Sequence, residues 1–140
     1  MLDVPVEGRV LPLPDAVNAP FWEATTRDEL IVQHCVACDR YQFYPRPFCT
    51  ACGGETEWVP STGRGTVHTF TIVRQNRTPP FKELGAYPVA IVELDEGWRM
   101  MTNLVGCTPG DVRVGMPVEV HFVAAEDLKL PFFRPIGDGR

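Results

Sequence analysis

The sequence predicts a mainly β protein in three parts: a short N-terminal helix, a cysteine-clasped ribbon and a C-terminal barrel of five strands. Three observations carry this reading. Four of the five cysteines lie in one stretch, CVACDRYQFYPRPFCTACGG (35–54), as two CxxC pairs. The 14 prolines and 12 glycines in 140 residues favour short strands and turns over long helices. From Gly65 onward, β-branched and aromatic runs alternate with turn residues, without a convincing helical period.

Residues 1–29 read as an extended arm and a short helix. Pro5, Pro12 and Pro14 break any regular element in the arm. In NAPFWEATTRDEL a helix is expected over 19–27, with Asn18 as its cap, Pro20 in the first turn and Glu23 as an early carboxylate. Phe21 and Trp22 are its packing residues. Residues 30–60 form the ribbon. LIVQHC is a strand running into the first CxxC, and TEWVPSTGRG leads out through a loop.

Residues 61–140 form the barrel domain. GTVHTFTIVRQ is one strand, and YPVAIVELDEGWRMMTNLVG holds two around an Asp95-Glu96-Gly97 turn. PVEVHFV alternates, with Val118, Val120 and Phe122 on one face and Glu119 and His121 on the other. KLPFFRP supplies a last short strand. Five strands in about 70 residues suit a small OB-type barrel, because closure removes sheet edges; a small sandwich is the alternative.

Net charge is −5, which argues against a chain that lives on phosphate backbones, although an acidic body can carry a small basic site. The start, MLDVPVEGRVLPLPD, lacks the basic and apolar regions of a secretory signal. No apolar run approaches the roughly 20 residues that cross a bilayer. The expectation is a cytoplasmic protein without a membrane partner. In a reducing compartment, paired cysteines read as metal ligands, not disulfides.

Cys35, Cys38, Cys49 and Cys52 have the form CxxC-x10-CxxC. Each CxxC turn aims two sulfurs at one metal, and two turns complete a tetrahedral thiolate shell. Zinc is favoured; iron also fits four thiolates. A closed shell leaves no position for water or substrate, so the metal is structural. Gly53 and Gly54 give the second turn backbone freedom. His34 reads as a surface or supporting histidine, and Cys107 as a small, partly buried residue.

No catalytic set emerges. GxSxG, HExxH and a glycine-rich phosphate loop are all missing from the sequence, and GRG at 63–65 opens the first barrel strand instead. His68 shares a strand face with Phe70 and Ile72, so it is expected to point inward or into an interface, and His121 is expected to be exposed. Asp95 and Glu96, adjacent in a turn, suit a hairpin better than paired acid and base work.

PFWEATTRDELIVQHCVACDRYQFYPRPFCTACGG, then GRGTVHTFTIV, YPVAIVELDEG and TNLVGC with GMPVEV, resembles a family of small acyl-CoA-associated proteins first catalogued as a domain of unknown function. The resemblance runs from about Pro20 to Pro135. It implies an N-terminal helix, a rubredoxin-like zinc ribbon and a C-terminal OB fold. Members of this family act beside thiolase-fold enzymes, in acyl-CoA condensation, in acetyl-transferring complexes and in steroid side-chain degradation, where the partner performs a retro-aldol cleavage. The implied role is a non-catalytic accessory subunit of a hetero-oligomer that docks on a thiolase-fold enzyme and helps hold or channel an acyl-CoA thioester. The four cysteines carry over as metal ligands.

CoA would need cations for its phosphates and an apolar or aromatic wall. Two segments offer both. RQNRTPPFKELGAYP sets Arg74, Arg77 and Lys82 around Phe81, and RYQFYPRPF sets Arg40 and Arg46 among four aromatics. A rival reading is a nucleic-acid-binding module, since ribbons and OB folds elsewhere combine aromatic platforms with a basic groove. The net charge of −5 counts against it.

Overall fold

The computed structural model describes residues 5–136. Among the described residues one α-helix, α1 (Ala19–Thr25), precedes a ribbon of β1 (Ile31–Cys35), β2 (Tyr41–Gln42) and β3 (Thr56–Pro60). Five further strands follow: β4 (Arg64–Val73), β5 (Tyr87–Leu94), β6 (Arg99–Asn103), β7 (Pro117–Ala125) and β8 (Leu128–Pro135). The first sheet has the order β2-β1-β3 and the second β6-β5-β4-β7-β8.

Helix α1 ends earlier than the periodicity suggests. Thr25 and Thr26 turn their hydroxyls back onto the carbonyls of Trp22 and Glu23, both at 2.6 Å. Asp28 then adopts a left-handed φ of 60°. Asn18 does not cap with its side chain. Its Oδ1 accepts the Asp15 N–H at 2.7 Å, while Asp15 Oδ1 accepts the N–H groups of Val17 and Asn18 at 2.9 and 2.8 Å. The two side chains build the turn before the helix. Glu23 lies beyond the first turn and gives that turn no carboxylate.

Residues 56–60, expected as part of a loop, form β3. They pair antiparallel with all of β1, from Ile31 opposite Pro60 to Cys35 opposite Thr56. Pro60 is tolerated because it ends an edge strand, where no ladder donor is needed.

The second sheet closes as a barrel. Leu104 and Phe133 form a parallel bridge, and the Val105 N–H donates to the Phe133 carbonyl at 2.9 Å. β4 joins the two halves: it pairs with β5 along its length and with β7 at Arg64–Thr66. Gly65 lets β4 approach β5 closely. A Cβ there would collide with the Glu93 carbonyl oxygen. The register slips between Val67 and Thr69, so His68 sits at a bulge. It is exposed, so of the two expected placements, inward or into an interface, the inward one fails, because the extra residue breaks the period.

Helix, ribbon and barrel share one core. Phe21 of α1, Leu30 and Val32 of the ribbon, and Val67, Val92, Leu94, Leu104, Val118 and Phe133 of the barrel belong to it. Cys107 is half-buried against this core. A second cluster gathers Val105, Leu128, Leu130 and Phe132, with Val6 and Leu11 of the arm packed on it. Two polar joints hold the parts together. Glu96 accepts from the Ser61 hydroxyl, the Thr62 N–H and the Trp98 indole at 2.8, 2.8 and 2.9 Å, which ties the ribbon's exit to the β5–β6 hairpin. These donors, opposing its burial, hold the carboxyl below its usual pKa. Buried Thr25 accepts the Lys129 N–H at 3.2 Å, next to an Asp28–Lys129 ion pair at 2.7 Å. His121 is half-buried, 3.0 Å from an Arg134 guanidinium nitrogen.

Candidate functional site

The two CxxC turns meet at the tip of the ribbon. β1 delivers Cys35, and its N–H donates to the Arg40 carbonyl across the first turn at 2.8 Å. The sulfurs of Cys35, Cys38, Cys49 and Cys52 all lie within 4.8 Å of one another, with Cys35–Cys52 at 3.6 Å and Cys38–Cys49 at 3.7 Å. A tetrahedron with ~2.3 Å metal–sulfur bonds has sulfur–sulfur edges of about 3.8 Å, so the donors fit one four-coordinate ion.

Backbone N–H groups point at the sulfurs. Ala37 and Cys38 donate to Cys35, Ala51 to Cys49 and Gly54 to Cys52, each at 3.4 Å. Such donors favour thiolate over thiol. The N–H groups of Cys52 and Ala51 lower the Cys49 pKa to about 6, and that of Cys38 lowers Cys35. Cys52 goes the other way. Its Gly54 donor lowers it, but the neighbouring Cys35 and Cys38 sulfurs and burial outweigh that and raise it to about 12. Without a cation, the cluster cannot carry four negative charges together. Space at Gly54 is tight: a Cβ would stand 3.1 Å from that of Ala37 and 3.2 and 3.3 Å from two sulfurs.

Two glutamines brace the segment between the turns. Buried Gln33 donates to the Arg46 carbonyl and accepts the Arg46 N–H, both at 2.9 Å, and Gln42 Nε2 donates to Gln33 Oε1 at 2.7 Å. The alternation of β1, which puts Gln33 on a buried face, is the sequence signal for this role. His34 is bound to Asp39 and Glu57, both at 3.0 Å, and lies outside the sulfur group. The ribbon aromatics divide. Phe43 leaves the ribbon and packs on Phe21 and Trp98, at ring separations of 5.4 and 5.3 Å. Tyr44 and Phe48 are each 55% exposed, and Tyr44 packs against Phe43 at a ring separation of 4.7 Å.

Arg74, Arg77, Phe81 and Lys82 come together as anticipated for a shared wall. They line a cleft of about 410 Å³ in the β4–β5 connection. Asn76 fixes this connection by donating to the Tyr87 hydroxyl at 2.8 Å and accepting the Thr78 N–H at 3.0 Å. Among the described residues, no carboxylate lies within ion-pair distance of these three cations. Arg40 and Arg46 do not join them. Arg40 is exposed at the first CxxC turn, and Arg46 lines a different cavity between ribbon, helix and barrel. Arg9, which gave no signal in the sequence beyond a lone cation in a proline-rich arm, lines that second cavity too.

A ribbon clasped by four cysteine sulfurs, sharing its core with a closed five-stranded barrel, defines a two-module zinc-ribbon and OB-fold protein. Residues 22–58 match the ChsH2 rubredoxin-like zinc ribbon domain, and residues 58–123 match the ChsH2 C-terminal OB-fold domain. The chain belongs to this family, the DUF35 family.

Its relatives set the context. A DUF35 domain-containing scaffold protein of Methanothermobacter thermautotrophicus is 34% identical over 98 residues, which is 69% of this chain and 73% of that protein. A probable enoyl-CoA hydratase alpha subunit of Thermomonospora curvata is 38% identical over 84% of this chain, which spans only 37% of the relative's length. Among solved structures, the Ltp2-ChsH2(DUF35) aldolase contains a chain that is 37% identical. The match has a TM-score of 0.78 and covers 89% of this chain and 98% of that one. Among the described residues, no helix is long and apolar enough to cross a membrane.

Proposed function

We propose that this protein is a non-catalytic subunit that docks on a thiolase-fold enzyme and helps bind or channel an acyl-CoA thioester for carbon–carbon bond formation or retro-aldol cleavage. The observation that carries the reading is the match to 98% of a chain from an aldolase complex, at 37% identity and a TM-score of 0.78. In this reading the ribbon is a clasp. Zinc is its metal, held by Cys35, Cys38, Cys49 and Cys52, and supplies structure without chemistry.

The surface around the clasp then has a use. Exposed Tyr44 and Phe48 offer apolar surface to the partner, and Arg40, exposed at the first CxxC turn, offers it a cation. The cleft of Arg74, Arg77 and Lys82 beside Phe81 takes the CoA phosphates and adenine, because cations without counter-charges and an aromatic wall are what that end of CoA needs. Arg46, on the neighbouring cavity, serves the same ligand from the ribbon side.

Reconstitution tests this. Turnover of an acyl-CoA by the partner enzyme should depend on adding this chain. Changing Arg74, Arg77 and Lys82 together to Ala should raise KM for the thioester about tenfold or more, since each charge-assisted phosphate contact contributes roughly 1–3 kcal/mol. Unchanged kinetics would remove the cleft assignment. Turnover independent of the chain would remove the accessory role.

A further inference from the structure

A cavity of about 510 Å³ lies between the arm, α1, the ribbon and the barrel, on the other side of Phe81 from the cationic cleft. Its size falls within the roughly 300–1,000 Å³ typical of small-molecule sites. Its walls are largely aromatic and aliphatic, with Trp22 from the helix, Phe43 from the ribbon, and Met100, Leu130 and Phe132 from the barrel.

Into this largely apolar setting the arm brings the Arg9 guanidinium, beside the exposed Arg46 that the ribbon contributes to the same lining. Arg9 lies over the rings of Phe81 and Phe132, 4.9 and 5.1 Å from their centroids. Its Nη2 donates to Asn103 Oδ1 at 3.1 Å, the one hydrogen bond of the guanidinium among the described residues. Its Nε is buried with no acceptor. A guanidinium has five N–H donors and cannot shed its charge, so it is costly to hold half-buried without an anion. No carboxylate among the described residues is in ion-pair distance. Asp15, which also lines the cavity, spends its Oδ1 on the N–H groups of Val17 and Asn18. Burial lowers the pKa of Arg9, the direction expected of a cation lacking its counter-charge. Two stacked rings and Asn103 nevertheless hold it in one place, which is what an anchoring group requires.

We propose that this cavity binds a small apolar molecule bearing one carboxylate, with the carboxylate on Arg9 and the apolar body against Trp22, Phe43 and Met100. The ligand supplies the counter-ion that no described residue gives Arg9, and its body fills the aromatic walls. This goes beyond the accessory role, which asks only that the chain dock and help hold CoA. The carboxylate belongs to a free acid or to the far end of an acyl group on CoA; both present the same oxygens to Arg9.

The test uses the full zinc-loaded chain without partner enzyme, so its outcome is separate from that of the accessory reading. Decanoate, 2-naphthoate and cyclohexanecarboxylate are titrated by calorimetry beside their primary amides, and the mono-CoA thioester of decanedioate beside decanoyl-CoA. At least one carboxylate should bind saturably and at least tenfold more tightly than its amide, with amide NMR shifts at Phe43, Met100 and Asn103. Tighter binding of the diacid thioester than of decanoyl-CoA assigns the ligand to an acyl group; preference among the free acids alone assigns it to a free acid. Arg9→Gln, with unchanged circular dichroism and zinc content, should erase the preference. Absence of binding by every probe to millimolar concentration would overturn the proposal, as would amides that match their acids in the native chain, a comparison that does not depend on the variant's folding.

Discussion

At the residue scale, the informative groups are those whose chemistry leaves little choice. Four cysteines at CxxC-x10-CxxC were legible because a short turn can direct two sulfurs to one point, and the sulfurs do converge within 4.8 Å. Other residues were opaque for equally physical reasons. Glu96 reads as a turn residue, yet its carboxylate accepts three bonds from groups as distant as Ser61, a partnership that only the tertiary fold creates. Arg9 depends on the packing of an arm that has no period. His68 does not turn inward, because a bulge that alternation cannot reveal breaks the period there. For the cysteines, Cys35→Ser or Cys49→Ser should each lose bound metal and unfold the ribbon tip, because removing one thiolate opens the shell. Metal analysis and a thiol-reactivity assay check this; full metal retention in both variants would remove the ligand assignment.

At the element scale, ribbon and barrel differ in what sustains them. The barrel closes on Phe133, which is fully buried and bridges to Leu104. Phe133→Ala should destabilise the protein by about 3–5 kcal/mol, read from denaturant unfolding, whereas a loss under about 1 kcal/mol would mean that closure rests elsewhere. The ribbon tip has no such core and relies on its metal. The signs of its titrations follow. In the metal-free cluster the Cys49 pKa is depressed to about 6, so its contribution to stability is present above the ordinary thiol value of 9.0 and fades as pH falls through 6. Cys52, raised to about 12, contributes below 9.0 and fades as pH climbs through 12. Metal binding near pH 7 therefore displaces protons, that of Cys52 foremost, and acid competes with the metal. Release to a chelating dye should be faster and more complete at pH 5 than at pH 8. Hydrogen exchange should then rise over residues 35–54 while β4, β5 and β7 stay protected; equal release at both pH values would contradict this. The strands of the barrel were visible as β-rich runs between turns. β3 was not, because its five residues carry Glu57 and Pro60 and borrow their strand character from β1.

At the scale of the whole molecule, the core that runs from Phe21 and Val32 into Val92 and Phe133 makes helix, ribbon and barrel one body. That body presents exposed ribbon aromatics, a cation-lined cleft and an apolar cavity around Arg9, and none of these is a catalytic constellation. The order helix, ribbon, barrel was legible because each module has its own signature: an early proline before paired aromatics, paired cysteines, alternating strands. Which enzyme it meets was not, since docking depends on a second surface that this sequence does not contain. The most direct test of the accessory role is affinity purification of the chain from its native host, with and without nuclease, followed by mass spectrometry and quantification. The account predicts a thiolase-fold enzyme at near-equal stoichiometry, indifferent to nuclease. No such enzyme, with nucleic-acid-dependent partners in its place, would contradict it.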